Sequence, residues 1–135
     1  MSEEINNNGK SYTILIAEDN EVNMFFLKTL LKINYPDIIL LEAQDGEKVM
    51  NIFSQLKPDL IFLDLSLPLI DGYDLAKYIK RSDTLKKDVP VIVLTASDSQ
   101  KVKDHLKKIG IETYIRKPAS REIIIDAVNK HLSLV

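Results

Sequence analysis

With 135 residues and 15.4 kDa the chain has room for one compact domain. Its composition, 45% hydrophobic and 28% charged with four Gly and five Pro, excludes collagen-like, low-complexity and disordered classes. A formal charge of -2 gives no bulk drive toward nucleic acid or an anionic membrane, and the absence of Cys removes disulfides, thiolate metal sites and a cysteine nucleophile while permitting a cytoplasmic location.

Met1 to Lys10 is acidic and Asn-rich with no apolar core, so it reads as a flexible tail rather than a signal peptide, leaving residues 11–135 as the domain. Tyr12 to Ala17 has the apolar run of a first strand. Asn20 can cap a helix to about Ile33, which Tyr35-Pro36 ends because a residue before proline avoids the helical region. Ile38 to Ala43 is a second strand, and Asp45-Gly46 opens a helix to about Leu56 that Lys57-Pro58 closes. Leu60 to Asp64 is a third strand, apolar enough for burial on both faces.

Leu65 to Gly72, with Pro68 and Asp71-Gly72, is a loop leading into a helix from about Tyr73 to Arg81. Val91 to Thr95 is a fourth strand, followed by a polar helix over Ser99 to Ile109 that stops at Gly110. Thr113 to Arg116 is a fifth strand; Pro118 breaks it, and Ser120 caps a last helix from Arg121 to about Leu132. The longest apolar runs fall far short of the roughly 20 residues that cross a bilayer. Five alternations of strand and helix predict an α/β fold around a parallel sheet.

In such a sheet ligands bind at the carboxyl ends of the strands. Glu18 and Asp19 follow the first strand, Asp64 ends the third, Thr95 ends the fourth and Lys117 follows the fifth. Each alone reads as a cap or a solvated turn. Together, three carboxylates and one ammonium leave a negative charge that repels itself unless a divalent cation is bound. Oxygen ligands suit Mg2+, which commonly meets phosphoryl groups, and Asp64 is then able to form an aspartyl phosphate. The metal, Lys117 and the Thr95 hydroxyl could each take a phosphoryl oxygen.

The residues from Tyr12 to Leu132 resemble the receiver domains of two-component response regulators. The resemblance rests on Ile14-Leu15-Ile16-Ala17-Glu18-Asp19-Asn20, Asp64-Leu65-Ser66-Leu67-Pro68-Leu69-Ile70-Asp71-Gly72, Leu94-Thr95-Ala96 and Tyr114-Ile115-Arg116-Lys117-Pro118, in that order and spacing. It implies a flavodoxin-like (βα)5 fold with strand order 2-1-3-4-5 and helices on both faces. Asp64 then matches the phosphoacceptor, Lys117 the lysine that contacts the phosphoryl group, Thr95 the switch hydroxyl and Tyr114 the switch aromatic. Asp19 would bind Mg2+ directly, Glu18 through water, and the Ser66 backbone carbonyl would complete the protein's share. The Lys117-Pro118 peptide would be cis.

The same resemblance implies a histidine kinase or histidine phosphotransfer protein as donor and a downstream protein target on the face built by helix four, strand five and helix five. It also implies a monomer or a phosphorylation-linked homodimer, with no catalysis beyond the chain's own phosphorylation and dephosphorylation. The Glu-Asp pair and the following Asn20-Glu21-Val22-Asn23 resemble receivers of hybrid kinases and phosphorelays, and a piece of a longer hybrid kinase or regulator would look the same. Leu67 and Ile70 stand where methionine is usual and conserve its bulk. The resemblance implies that Ser66 and Ser97 occupy positions that tune the lifetime of the phosphoryl group.

Three features lie outside that pattern. His105 and His131 have no companion ligands and read as solvated or partly packed, and Lys101, Lys103, Lys107 and Lys108 as a solvated face. The first helix is apolar nearly all round, and core packing is the default reading of it. Part of its Met24-Phe25-Phe26 cluster, left exposed, would meet the histidine donor. Two other functions compete. A metal-dependent phosphatase or phosphotransferase would want a second aspartate two positions after Asp64, where Ser66 stands. A phosphorylation-independent interaction module with the same fold would be favoured by loss of Asp64 or Lys117, and both are present.

Overall fold

In a computed structural model of the chain, residues 11–81 and 89–133 are described; the expected tail at 1–10 lies outside them. The elements are β1 (Thr13–Ala17), α1 (Glu21–Asn34), β2 (Ile39–Ala43), α2 (Gly46–Gln55), β3 (Leu60–Asp64), α3 (Gly72–Arg81), β4 (Val91–Thr95), α4 (Gln100–Ile109), β5 (Thr113–Arg116) and α5 (Arg121–Leu132). The five strands form one parallel sheet in the order β2-β1-β3-β4-β5, as expected. Element ends lie within a residue or so of the sequence reading. The caps carry them: Asn20, Asp45, Ser99 and Ser120 each accept a backbone N–H three residues on, and Gly110 closes α4 at φ 99°.

Alternation along each strand sends side chains to two cores. Ile14, Ile16, Leu60, Phe62, Ile92 and Leu94 pack under α1 and α5. Leu15, Ala17, Ile61, Leu63, Val91 and Val93 pack under α2, α3 and α4. The central strands β3 and β4 are buried at every position, whereas the edge strand β2 is mostly half-buried. Tyr35 ties the two helices of one face together: its hydroxyl donates to Asn129 Oδ1 at 2.6 Å. Burial, reinforced by the nearby Asp126 charge, pushes that phenol up to about 12.

The default reading of α1 as core is corrected here. Met24, Leu27, Leu30 and Leu31 are buried, but Val22, Phe25, Phe26 and Ile33 are exposed. A helix laid on one face of a sheet can bury only one stripe, whatever its remaining residues are. No helix among the described residues is long and apolar enough to cross a membrane.

Candidate functional site

Register brings the strand ends level. Ala17 lies beside Leu63, Asp64 beside Leu94 and Thr95 beside Arg116. The ladder runs on into the loops: Glu18 N–H donates to Ala43 C=O at 3.0 Å, Leu65 N–H to Leu94 C=O at 3.1 Å and Lys117 N–H to Thr95 C=O at 2.8 Å. The first residue after β1, β3 and β5 is thereby tied to its neighbouring strand. The Lys117-Pro118 peptide is cis, as expected.

Asp64 is buried and fully engaged. Its Oδ1 accepts the Ser66 N–H at 2.9 Å and the Ser66 hydroxyl at 2.8 Å, and its Oδ2 accepts the Lys117 ammonium at 2.8 Å. Burial works against its charge, but these hydrogen bonds outweigh it and hold the carboxyl below its ordinary range. For Lys117 the same burial is outweighed by Asp64 and Glu18, which raise its pKa. The Ser66 hydroxyl was not foreseen as a partner of Asp64; a hydroxyl two residues beyond a carboxylate at a strand-to-loop turn is the available signal.

Glu18 is 1% exposed. Its Oε2 accepts the Asn20 N–H at 3.1 Å, while Oε1 lies 3.6 Å from Lys117 Nζ and has no hydrogen-bond partner. Burial, with the Asp64 charge adding to it, raises its pKa. Asp19 is exposed, and one oxygen from each of Glu18, Asp19 and Asp64 lies within 4.8 Å of the others. A buried carboxylate oxygen without a donor, facing two more carboxylates, suits a hard divalent cation bound through oxygen. The donor set fits Mg2+.

Thr95 and Tyr114 are close to the site without joining it. The Thr95 hydroxyl donates to Ser97 C=O at 3.0 Å and accepts Ser97 N–H at 3.1 Å, so it closes a turn of its own loop rather than meeting Asp64. Tyr114 is half-buried against the core under α2, α3 and α4. The loop from Leu65 to Gly72 is pinned at two points. A Cβ on Gly72 would lie 2.3 Å from the Leu65 carbonyl oxygen, and one on Gly46 2.6 Å from Ile70 Cβ. Between the pins Leu69 is exposed with φ 80°. Of the two histidines, His105 stacks on Tyr73 with centroids 3.9 Å apart, and His131 Nε2 lies 2.7 Å from Thr113 Oγ1. His105 is otherwise exposed, while His131 is half-buried and lies at the opposite ends of the strands from Asp64.

The family profile described as response regulator receiver domain matches residues 14–129. The chain is 30% identical over 120 residues to the polar-differentiation response regulator DivK of Brucella anthropi, covering 89% of this chain and 95% of that protein. The receiver domain of the sensor histidine kinase PA1611 from Pseudomonas aeruginosa, solved with magnesium coordinated in its active-site cleft, is similar with a TM-score of 0.78, 26% identity and coverage of 92% and 99% of the two chains. The co-crystal structure of the Saccharomyces cerevisiae phosphotransfer protein Ypd1 with the receiver domain of Ssk1 gives a TM-score of 0.82 at 27% identity, covering 91% of this chain and 90% of that one.

Proposed function

The chain belongs to the response regulator receiver domain family of two-component signalling, and from that premise we propose that Asp64 is the residue that takes the phosphoryl group. The observation that carries the assignment is the convergence on one buried carboxylate of Lys117 at 2.8 Å and the Ser66 amide at 2.9 Å, with two further carboxylates within 4.8 Å. The donor is a phosphohistidine of a histidine kinase or phosphotransfer protein, a reading supported by the yeast complex of a receiver with such a protein.

In the transfer an oxygen of ionised Asp64 attacks phosphorus, the N–P bond of the donor breaks, and its electron pair stays on the imidazole nitrogen. The product is a mixed carboxylic-phosphoric anhydride. Glu18, Asp19, Asp64 and the Ser66 backbone carbonyl would hold Mg2+, which supplies positive charge against the phosphoryl oxygens. Lys117, which holds Asp64 Oδ2 beforehand, takes a phosphoryl oxygen afterwards.

The Thr95 hydroxyl then leaves Ser97 for another phosphoryl oxygen, Tyr114 turns inward, and the face of α4, β5 and α5 is repacked. This local charge change biases a two-state surface and alters which protein, or which second copy, it binds. Hydrolysis of the anhydride resets it, and the chain catalyses nothing else. The cytoplasm is the compartment that suits these partners.

The test is intact-protein mass after incubation with acetyl phosphate, with and without Mg2+, for the wild type and Asp64→Asn. A labile gain of one phosphoryl group that needs Mg2+ and vanishes in the variant is expected. A gain that persists in Asp64→Asn would move the acceptor elsewhere.

A further inference from the structure

Helix α1 carries more apolar surface than its seat on the sheet covers. Val22, Phe25, Phe26 and Ile33 are 75%, 69%, 42% and 70% exposed, and Thr29 is exposed among them. Val22, Phe26, Thr29 and Ile33 follow one another at intervals of four, three and four residues. That alternation is the spacing of core positions where two helices pack side by side at a crossing of about 20°. The opposite side of α1 is already seated, so this second stripe is a separate surface.

The pattern is self-complementary in one orientation. Pairing two copies of α1 antiparallel about a two-fold axis between Leu27 and Lys28 sets Val22 against Ile33 of the second copy and Phe26 against its Thr29. The charges agree. Asp19 and Glu21 are exposed at the start of the helix, and Lys32 is exposed at its end with its ammonium donating to the Ile38 carbonyl at 3.0 Å, which leaves further protons for a carboxylate. At 100° per residue, Glu21 and Lys32 lie on the same flank of the stripe, so an antiparallel pair brings acid to base twice, and Phe25 lies beside that contact. A parallel two-fold pair would put these flanks of the two copies on opposite sides of the seam, so the charges would not meet. Antiparallel helices also oppose their dipoles.

We propose that the exposed stripe of α1 pairs with α1 of a second copy of this chain, antiparallel, without need of phosphorylation. The pairing is distinct from any association through α4, β5 and α5. With two phenylalanines and two aliphatic residues per copy, it belongs to the small, reversible class of interfaces. Val22 and Phe26 also line a cavity of about 500 Å3 that reaches Lys117 and Glu18, so the second copy sits beside the acceptor site. A phosphohistidine donor on the same stripe is the rival occupant, and it predicts a monomer when the chain is alone.

The test uses the full chain, unphosphorylated, in sedimentation equilibrium from about 10 µM to about 1 mM, where small interfaces associate. The mass is expected to rise from 15.4 kDa toward twice that value, and Phe26→Asp to hold it at the monomer. Because the chain has no cysteine, orientation is read by oxidative cross-linking of single variants. Val22→Cys mixed with Ile33→Cys is expected to give a mixed disulfide in several-fold excess over either variant alone. A monomer throughout the concentration range, a dimer unchanged in Phe26→Asp, or Val22→Cys pairing best with itself would each overturn the proposal.

Discussion

The Lys117 ammonium donates to Asp64 Oδ2 at 2.8 Å across 53 residues of chain. Because β4 lies between β3 and β5, the lysine side chain reaches over the end of a strand to meet the carboxylate. The contact holds the Asp64 carboxyl below its ordinary range, and in the proposed transfer it would set a cation where phosphoryl charge arrives.

Replacing that cation has two measurable effects. In Lys117→Met the Asp64 and Glu18 carboxylates face each other without a counter-charge. Because Lys117 is about a quarter exposed, the loss of stability is expected to be about 1–3 kcal/mol, less than for a fully buried pair. Mg2+ should restore part of it in urea unfolding. Labelling by acetyl phosphate should slow on the order of 100-fold, the scale of removing one transition-state charge partner. Labelling at the wild-type rate would remove Lys117 from the chemistry.

Glu18 places a buried oxygen with no hydrogen-bond partner beside two other carboxylates. Glu18→Gln removes a desolvated charge and adds a donor, so the metal-free protein is expected to gain about 1 kcal/mol. The same change should weaken Mg2+ about 10- to 100-fold, by analogy with lost supporting ligands. Thermal unfolding against Mg2+ concentration measures both. A stabilised variant whose melting still rises with Mg2+ at wild-type concentrations would show that Glu18 does not help hold the ion.

The loop from Leu65 to Gly72 ends on a glycine where a side chain does not fit and holds a leucine where glycine would be at ease. Gly72→Ala sets a Cβ against backbone, the Leu65 carbonyl oxygen at 2.3 Å, and should cost about 3 kcal/mol or more. Leu69→Gly relieves a left-handed branched residue at φ 80°, so it should be neutral or stabilising by up to about 1 kcal/mol after the greater chain freedom of glycine is counted. Equal destabilisation by both substitutions would contradict this account of the loop.

His131 makes stability depend on pH far from the acceptor site. Burial lowers its pKa from 6.5; Lys130 and Lys80 add to the shift and Glu112 opposes it. The unfolded chain therefore binds a proton that the folded chain refuses in the window between the depressed value and 6.5. Stability should be complete above 6.5 and fall as pH drops through that window. His131→Gln should flatten this slope in urea midpoints measured from pH 5 to 7. An unchanged slope would assign it to other groups.

Much of this could be read along the chain. The strands announce themselves as apolar runs, and the caps at Asn20, Asp45, Ser99 and Ser120 act on backbone groups three residues away. Short-range bonds of this kind depend on neighbours in sequence, which is why element ends came within a residue or so. The order of Glu18, Asp19, Asp64, Thr95 and Lys117 at successive strand ends was legible for the same reason, since a parallel sheet brings such ends to one edge.

What tertiary structure decided was pairing and exposure. The Thr95 hydroxyl could have turned to Asp64 and instead closes on Ser97, and Glu18 Oε1 is left without a donor while Oε2 has one. Phe25 and Phe26 look like core in the sequence, yet only the stripe with Met24 and Leu27 meets the sheet. The sequence by itself determined which groups the strand ends would present and which helices would form, because those follow from local geometry. Only the folded chain decided which of them are dry, which are paired and which face outward, because burial and long-range hydrogen bonds depend on elements tens of residues away.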